Sequence, residues 1–156
     1  MKSEPNHIRL LIVNGVNLGC LGTREVNIYG NVSFEEYLRT LRDRYPQVEL
    51  EYVQSEEVGE LAKTITSARD LQGIILNAGA FTHTSLVLAD AVKAAKCPVV
   101  EVHISNLFGR ENYRRNSVLS GACVGFISGF GLQSYELAVE AFLMKIRAQE
   151  IKPQRV

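Results

Sequence analysis

Two short patterns in the sequence bring together side chains able to move protons. In VVEVH, Glu101 and His103 stand two positions apart. If that run is extended, positions i and i+2 share one face. The carboxylate can then reach the imidazole, fix its tautomer and make it a competent proton donor near neutral pH. A strand-end histidine beside a surface glutamate is the plainer alternative, and the pair alone does not decide between them. In GVNLGCLGTREVNIYG, Arg24 and Tyr29 lie on one stretch. A guanidinium close to a tyrosine stabilises the phenolate and lowers its pKa from the usual value of about 10. That makes Tyr29 a usable general base, although in isolation an ordered surface tyrosine is the better reading.

Other polar residues gather near these two. Asn14, Gly15 and Asn17 follow one aliphatic run, Gln54 and Ser55 a second, and Asn77, Gly79 and His83 a third; Ser105 and Asn106 follow His103. One asparagine at such a place is usually a turn residue. Four runs that all end in amides, imidazoles or a carboxylate indicate a shared site. The segment GRENYRR adds Arg110, Arg114 and Arg115. One of them can anchor a carboxylate or hydroxyls, although such a charge run is usually a solvated helix start.

Several chemistries are poorly supported. His83 and His103 lack an HExxH pattern or a cysteine partner, which argues against a metal site. GVNLGCLG matches neither GxGxxG nor GxxxxGK[ST], and GFISGFG is not a nucleophile elbow. Each lysine (Lys2, Lys63, Lys93, Lys96, Lys145, Lys152) falls in a helical stretch or near a terminus, so none is placed for Schiff-base work. No cofactor is expected.

The elements that must position these groups alternate strand and helix. Ile8–Asn14 is a nearly continuous aliphatic run, the mark of a central strand covered on both faces. Ser33 answered by Glu36 is a capping box, and Phe34, Tyr37, Leu38 and Leu41 supply the apolar stripe of the helix behind it. Val48–Gln54 alternates and suits a more exposed strand near an edge. A helix follows Ser55, with Val58, Leu61, Ala62, Ile65 and Ala68 at helical spacing. Gly73–Asn77 is a third strand and Ser85–Lys96 a third helix, stopped before Pro98. Val99–His103 and Val124–Ser128 complete the strands, and the closing helix runs from about Gln133 to Glu150. The stretch from Gly15 to Gly30 is a long loop without secondary structure of its own, which suits a lid.

Five such units predict an α/β fold, a flavodoxin-like three-layer sandwich with a five-stranded parallel sheet of order 2-1-3-4-5. In such sheets ligands sit beyond the carboxyl ends of the strands, near the switch in strand order. The 156 residues read as one catalytic domain, with a short N-terminal extension (1–7) and a C-terminal tail (about 151–156).

Composition narrows the partners. Seventeen basic side chains balance seventeen acidic ones, which leaves no electrostatic footprint for nucleic acid or an anionic membrane. No apolar run is long enough to span a bilayer, and the start lacks the pattern of a signal peptide. Cys20, Cys97 and Cys123 are odd in number and have no CxxC spacing, so three reduced thiols in the cytoplasm are expected.

The stretches NGVNLGCLGTREVNIYG, ILNAGAFTHTS, VVEVHISN and GRENYRRNS, in this order, resemble the type II 3-dehydroquinate dehydratases of the shikimate and quinate pathways. The resemblance runs from about Ile8 to Leu143. It implies a hydro-lyase that acts on a small molecule, 3-dehydroquinate, without metal or organic cofactor. In that family's pattern Tyr29 removes the C2 proton and Arg24 keeps the tyrosine ionised. Asn17 helps to hold a water against the enolate, and His103, oriented by Glu101, protonates the departing C1 hydroxyl. Asn77, His83 and Arg114 match groups that bind substrate hydroxyls and ring, and the backbone amides of Ile104 and Ser105 match the carboxylate cradle. Asp90 matches a carboxylate that reaches a neighbouring subunit's site, in trimers that assemble into dodecamers. The chain departs from the family in having Val16 and Val26 where proline is usual, and Phe108-Gly109 before Arg110. The lost prolines are expected to loosen the open lid. A related lyase, or a flavodoxin-like binding protein without activity, is the rival reading.

Overall fold

The run Ile8–Asn14 forms β1, with its last five residues buried. β1 lies second in a parallel sheet of order β2-β1-β3-β4-β5. The other strands are β2 (Val48–Gln54), β3 (Gly73–Asn77), β4 (Val99–His103) and β5 (Gly125–Ser128). Among the described residues four α-helices connect or close them: α1 (Phe34–Arg44), α2 (Val58–Ser67), α3 (Leu86–Ala94) and α4 (Gln133–Arg147). The structure is a computed structural model and describes residues 7–20 and 32–151, except the side chain of Cys20. Arg24, Val26 and Tyr29 lie outside the described residues.

The period-2 geometry of the strands sends alternate residues into two cores. Leu10 and Ile12 of β1 join Val100 and Val102 of β4 against Phe34, Leu38 and Leu41 of α1 and Tyr135, Val139 and Phe142 of α4. Leu11 and Val13 join Ile74, Leu76 and Val99 against Leu61 and Ile65 of α2 and Leu88 and Val92 of α3. The result is the expected three-layer sandwich. Burying a side chain the size of Phe142 is worth roughly 1.5–3 kcal/mol. Its ring packs so tightly on the sheet that a Cβ at Gly73 would lie 2.2 Å from it.

Local signals set most boundaries. Ser33 caps α1: its side chain accepts the Glu36 N–H at 3.2 Å, and the Glu36 carboxylate accepts the Ser33 N–H at 3.2 Å. β2 is an edge strand, as its alternation predicts. Two helices end earlier than the sequence suggests. α3 stops at Ala94 because Ala95 turns to ψ 142°, which starts the return to β4. α4 stops at Arg147 because Gln149 takes a left-handed φ of 62°. The N–H groups of Gln149 and Glu150 then bond back to the carbonyls of Ile146 and Lys145, a Schellman ending. The loop after β1 also differs from expectation, since Leu18–Cys20 form a 3₁₀ turn with Leu18 buried. Val124 stands just outside β5, although its N–H still bonds to the Val99 carbonyl at 2.9 Å. Among the described residues no helix is long and apolar enough to cross a membrane.

Candidate active site

The order of the sheet reverses between β1 and β3, and there the loops leaving the two strands interlock. A Cβ on Gly15 would lie 2.5 Å from the Ala78 carbonyl oxygen, and one on Gly79 would lie 2.5 Å from the Val16 carbonyl oxygen. The Gly15 N–H donates to the Asn77 carbonyl at 2.7 Å. Close passage of two backbones leaves no room for side chains, so both positions require glycine.

Beneath this crossing lies a buried polar cluster. Tyr135 of α4, fully buried, donates its hydroxyl to Asn14 Oδ1 at 2.7 Å and accepts from Asn77 Nδ2 at 2.9 Å. Burial pushes its phenol well above the ordinary value, so it stays neutral and serves as a bridge. Asn77 Oδ1 accepts the Gly79 N–H at 3.2 Å. The side chain of Asn77 is therefore held by its own protein, with one N–H and one lone pair left for another partner. Asn17, at the mouth, is exposed with φ 67°. Its backbone N–H is held by the Glu56 carboxylate at 2.9 Å and 3.1 Å, which leaves the side-chain amide free of that task.

β4 supplies Glu101 and His103, which face the same layer as Val99, as the two-residue spacing predicts. Glu101 is fully buried and His103 nearly so, with His103 Nε2 at 3.5 Å from Glu101 Oε1. That is an ion-pair separation, too long for a good hydrogen bond, and Nε2 has no hydrogen-bond partner. The reading of Glu101 as a surface glutamate is excluded. Its carboxylate also accepts from the hydroxyls of Thr82 and Ser117, the latter at 2.7 Å. Burial alone would push the carboxyl up. The facing His103 ring and the two hydroxyls outweigh it and hold Glu101 below its ordinary value. The ring of Phe126 lies 5.4 Å from that of His103 and limits its tilt.

The remaining candidates surround this pair. His83 is half-buried, with Nδ1 2.7 Å from the Asn116 carbonyl. A carbonyl only accepts, so Nδ1 carries the proton and Nε2 is left for another partner. Ile104 is buried and Ser105 half-buried. Neither backbone N–H donates to another described residue, so two adjacent donors remain at the end of β4. Arg114 sits in a 3₁₀ turn, Asn112–Arg114, and not at an α-helix start. Its Nε lies 3.3 Å from Glu111 Oε2, and its guanidinium lies 5.4 Å from the Tyr113 ring centre. Arg110 donates to Ser105 Oγ at 3.3 Å, and Arg115 is turned back to the Arg110 carbonyl at 2.9 Å. Asp90 is exposed on α3, on the helical face that also presents Leu86 and Val87 to solvent.

The sequence reading did not single out Thr82, Ser117, Asn116 or Tyr135. Thr82, Asn116 and Ser117 lie inside the recognised motifs, where their neighbours drew the chemical reading. Tyr135 is masked by the apolar pattern of α4. The neutral amides, the buried acid–imidazole pair and the unengaged N–H groups can together bind a hydroxylated anion and deliver a proton to it.

Comparison with known proteins gives a consistent result. The sequence pattern of the family described as Dehydroquinase class II matches residues 8–143. A 3-dehydroquinate dehydratase of Exiguobacterium sp. is 48% identical over 137 residues, covering 87% of this chain and 94% of that protein. The 3-dehydroquinate dehydratase of Chlorobaculum tepidum is 45% identical, covering 86% and 93%. Among solved structures, the type II dehydroquinase of Butyrivibrio crossotus superposes with a TM-score of 0.84 at 37% identity, covering 88% of this chain and 98% of its own.

Proposed function

The chain belongs to the class II dehydroquinase family, and from that premise we propose how its residues carry out the hydro-lyase reaction, the dehydration of 3-dehydroquinate to 3-dehydroshikimate. Tyr29, held ionised by Arg24, takes the proton from C2 beside the ketone. The negative charge passes to the C3 oxygen as an enolate, where Asn17 holds a water as hydrogen-bond donor. The electrons then return, the C1–C2 double bond forms, and the C1 hydroxyl leaves as water with a proton from His103. With Nε2 turned to Glu101, Nδ1 is the ring atom that serves the substrate. Asn77, His83 and Arg114 bind hydroxyls and ring, and the N–H groups of Ile104 and Ser105 cradle the carboxylate.

The observation that carries this reading is the buried Glu101–His103 pair at the end of β4, next to the switch in strand order. An acid built there needs a fixed, ionised partner, and Glu101 is held in that state. The mechanism calls on no metal and no organic cofactor, so chelators, and borohydride in the presence of substrate, leave activity unchanged. The functional unit is a homo-oligomer, trimers assembling into a dodecamer, in which Asp90 reaches a neighbour's site. The exposed Leu86 and Val87 beside Asp90 support that use of α3, and light scattering that gave a fully active monomer refutes it. The free thiols of Cys97 and Cys123 support a cytoplasmic location.

The direct test is turnover of 3-dehydroquinate, followed as absorbance of the conjugated product, for the native chain and for Tyr29→Phe. The native chain turns over, and the variant binds but loses at least ~10² in kcat, the usual size for a lost general base. A Tyr29→Phe variant that kept most of its kcat removes Tyr29 from the role.

A further inference from the structure

The loops on either side of β4 in space both reach the Glu101 carboxylate, and each does so with a hydroxyl. Thr82, fully buried, lies within the 3₁₀ turn Gly79–His83 after β3; Ser117 follows the turn that carries Arg114. The Val118 N–H donates to the Thr82 carbonyl at 2.9 Å and ties the two loops together. A hydroxyl has one proton and two lone pairs. Both lone pairs of Ser117 Oγ are taken, by the N–H groups of Leu119 and Ser120 at 3.1 Å each. Its proton is thus committed outward, to Glu101 Oε1 at 2.7 Å and Oε2 at 3.0 Å. Thr82 Oγ1 lies 3.1 Å from Ser117 Oγ, which has no lone pair left to offer, so the Thr82 proton also goes to Glu101 Oε1.

We propose that Thr82 and Ser117 are positioning residues for the proton donor: a two-hydroxyl clamp that fixes the Glu101 carboxylate against His103. The inference rests on the dehydratase reading above, since it names what holds the acid in place. Both clamp protons are donated to the charged form of Glu101, and charge-assisted hydrogen bonds of this kind are the strong ones. The polarity of the clamp is set by backbone N–H groups, which do not titrate, so Glu101 remains an acceptor throughout the reaction. It then holds its charge against the Nε2 side of His103, at 3.5 Å, and leaves Nδ1 to the substrate. Cys123 also feels the Glu101 charge. Burial first, and then the Glu101 charge, push its thiol up to about 12, so it stays neutral and does not compete with His103.

Thr82→Val keeps the shape of the side chain and deletes its hydroxyl; Thr82→Ser restores the hydroxyl. On the full-length enzyme two readouts separate positioning from packing: kcat and KM with 3-dehydroquinate, and the pH titration of the Glu101 carboxyl carbon by NMR. Thr82→Val lowers kcat by about tenfold, the worth of one hydrogen bond to a charge. It leaves KM unchanged and moves the Glu101 titration to higher pH, and Thr82→Ser recovers both. Ser117→Ala gives the same two changes and serves as the test if Thr82→Val does not fold. The proposal is overturned if the variants leave kcat and the Glu101 titration as in the native chain. It is also overturned if KM alone rises, which makes the hydroxyl a substrate contact, or if Thr82→Ser fails to rescue. If the native chain does not turn over 3-dehydroquinate, the dehydratase reading fails, while the Glu101 titration still decides the clamp.

Discussion

Replacing Glu101 by glutamine keeps the volume of a fully buried side chain and removes its charge. The amide oxygen can still accept from Thr82 and Ser117 at the Oε1 position, so the fold is retained. What is lost is the attraction for a protonated His103. At the observed 3.5 Å and an effective dielectric constant of about 20, that attraction is about 5 kcal/mol. Part of it returns, because the variant no longer has to desolvate an ion and the ring can shed its proton. The loss in kcat is therefore about 10²–10³, within the range for an impaired general acid. The assay pairs product formation with deuterium incorporation at C2 of the substrate, read by NMR. On the proposed mechanism exchange at C2 depends on Tyr29 and the amides, so it persists while dehydration falls. A Glu101→Gln enzyme that keeps kcat within tenfold, or loses exchange as completely as dehydration, refutes the division of acid and base.

Other perturbations probe neighbouring parts of the same design. His103→Ala retains C2 exchange and loses ~10² or more in dehydration, whereas Arg24→Ala lowers both, with a residual rate that climbs with pH as the Tyr29 phenol ionises; the same paired assay checks each. Glu101 also leaves an acid signature. A carboxyl held below its ordinary value of 4.5 contributes stability that is present above that value and is lost as pH falls through the lower folded value. Urea unfolding from pH 6 downward thus shows a steeper acid loss for the native chain than for Glu101→Gln, and parallel curves contradict it. Tyr135→Phe strands Asn14 and Asn77 without their shared hydroxyl and costs about 1–3 kcal/mol in urea unfolding; a neutral result shows that the bridge is dispensable. Gly79→Ala meets a left-handed φ of 61° and the Val16 carbonyl oxygen at 2.5 Å. The variant loses about 3 kcal/mol and roughly 6–12 °C in Tm by thermal melting.

The sequence by itself determined the elements, their order and the end of the sheet where the candidate site lies. β1, β2, β3 and β4 have the predicted bounds because aliphatic runs, alternation and Gly or Pro punctuation are local signals that report burial directly. The capping box at Ser33 and Glu36 is equally local. Parallel connections and a right-handed crossover then leave few ways to order five strands. Glu101 and His103 were legible as a pair because a strand converts a spacing of two into a shared face. The recognised motifs brought Asn17, Asn77, His83 and Arg114 to notice without saying what else holds them.

Only the tertiary structure decided those partners. Thr82, Ser117 and Glu101 come from three separate segments, and Asn14, Asn77 and Tyr135 from three others, and nothing in the local pattern of each says which polar atoms will meet. Buried polar groups must find partners wherever the packed chain supplies them, so the pairing follows from how helices and loops settle on the sheet. The same holds for the ends of α3 and α4. Their apolar patterns continue past Ala94 and Arg147, but the chain must turn at Ala95 to reach β4 and at Gln149 to close the last helix. Periodicity records which face of an element is buried; where a helix must stop, and which hydroxyl holds a carboxylate in place, depend on residues distant in sequence.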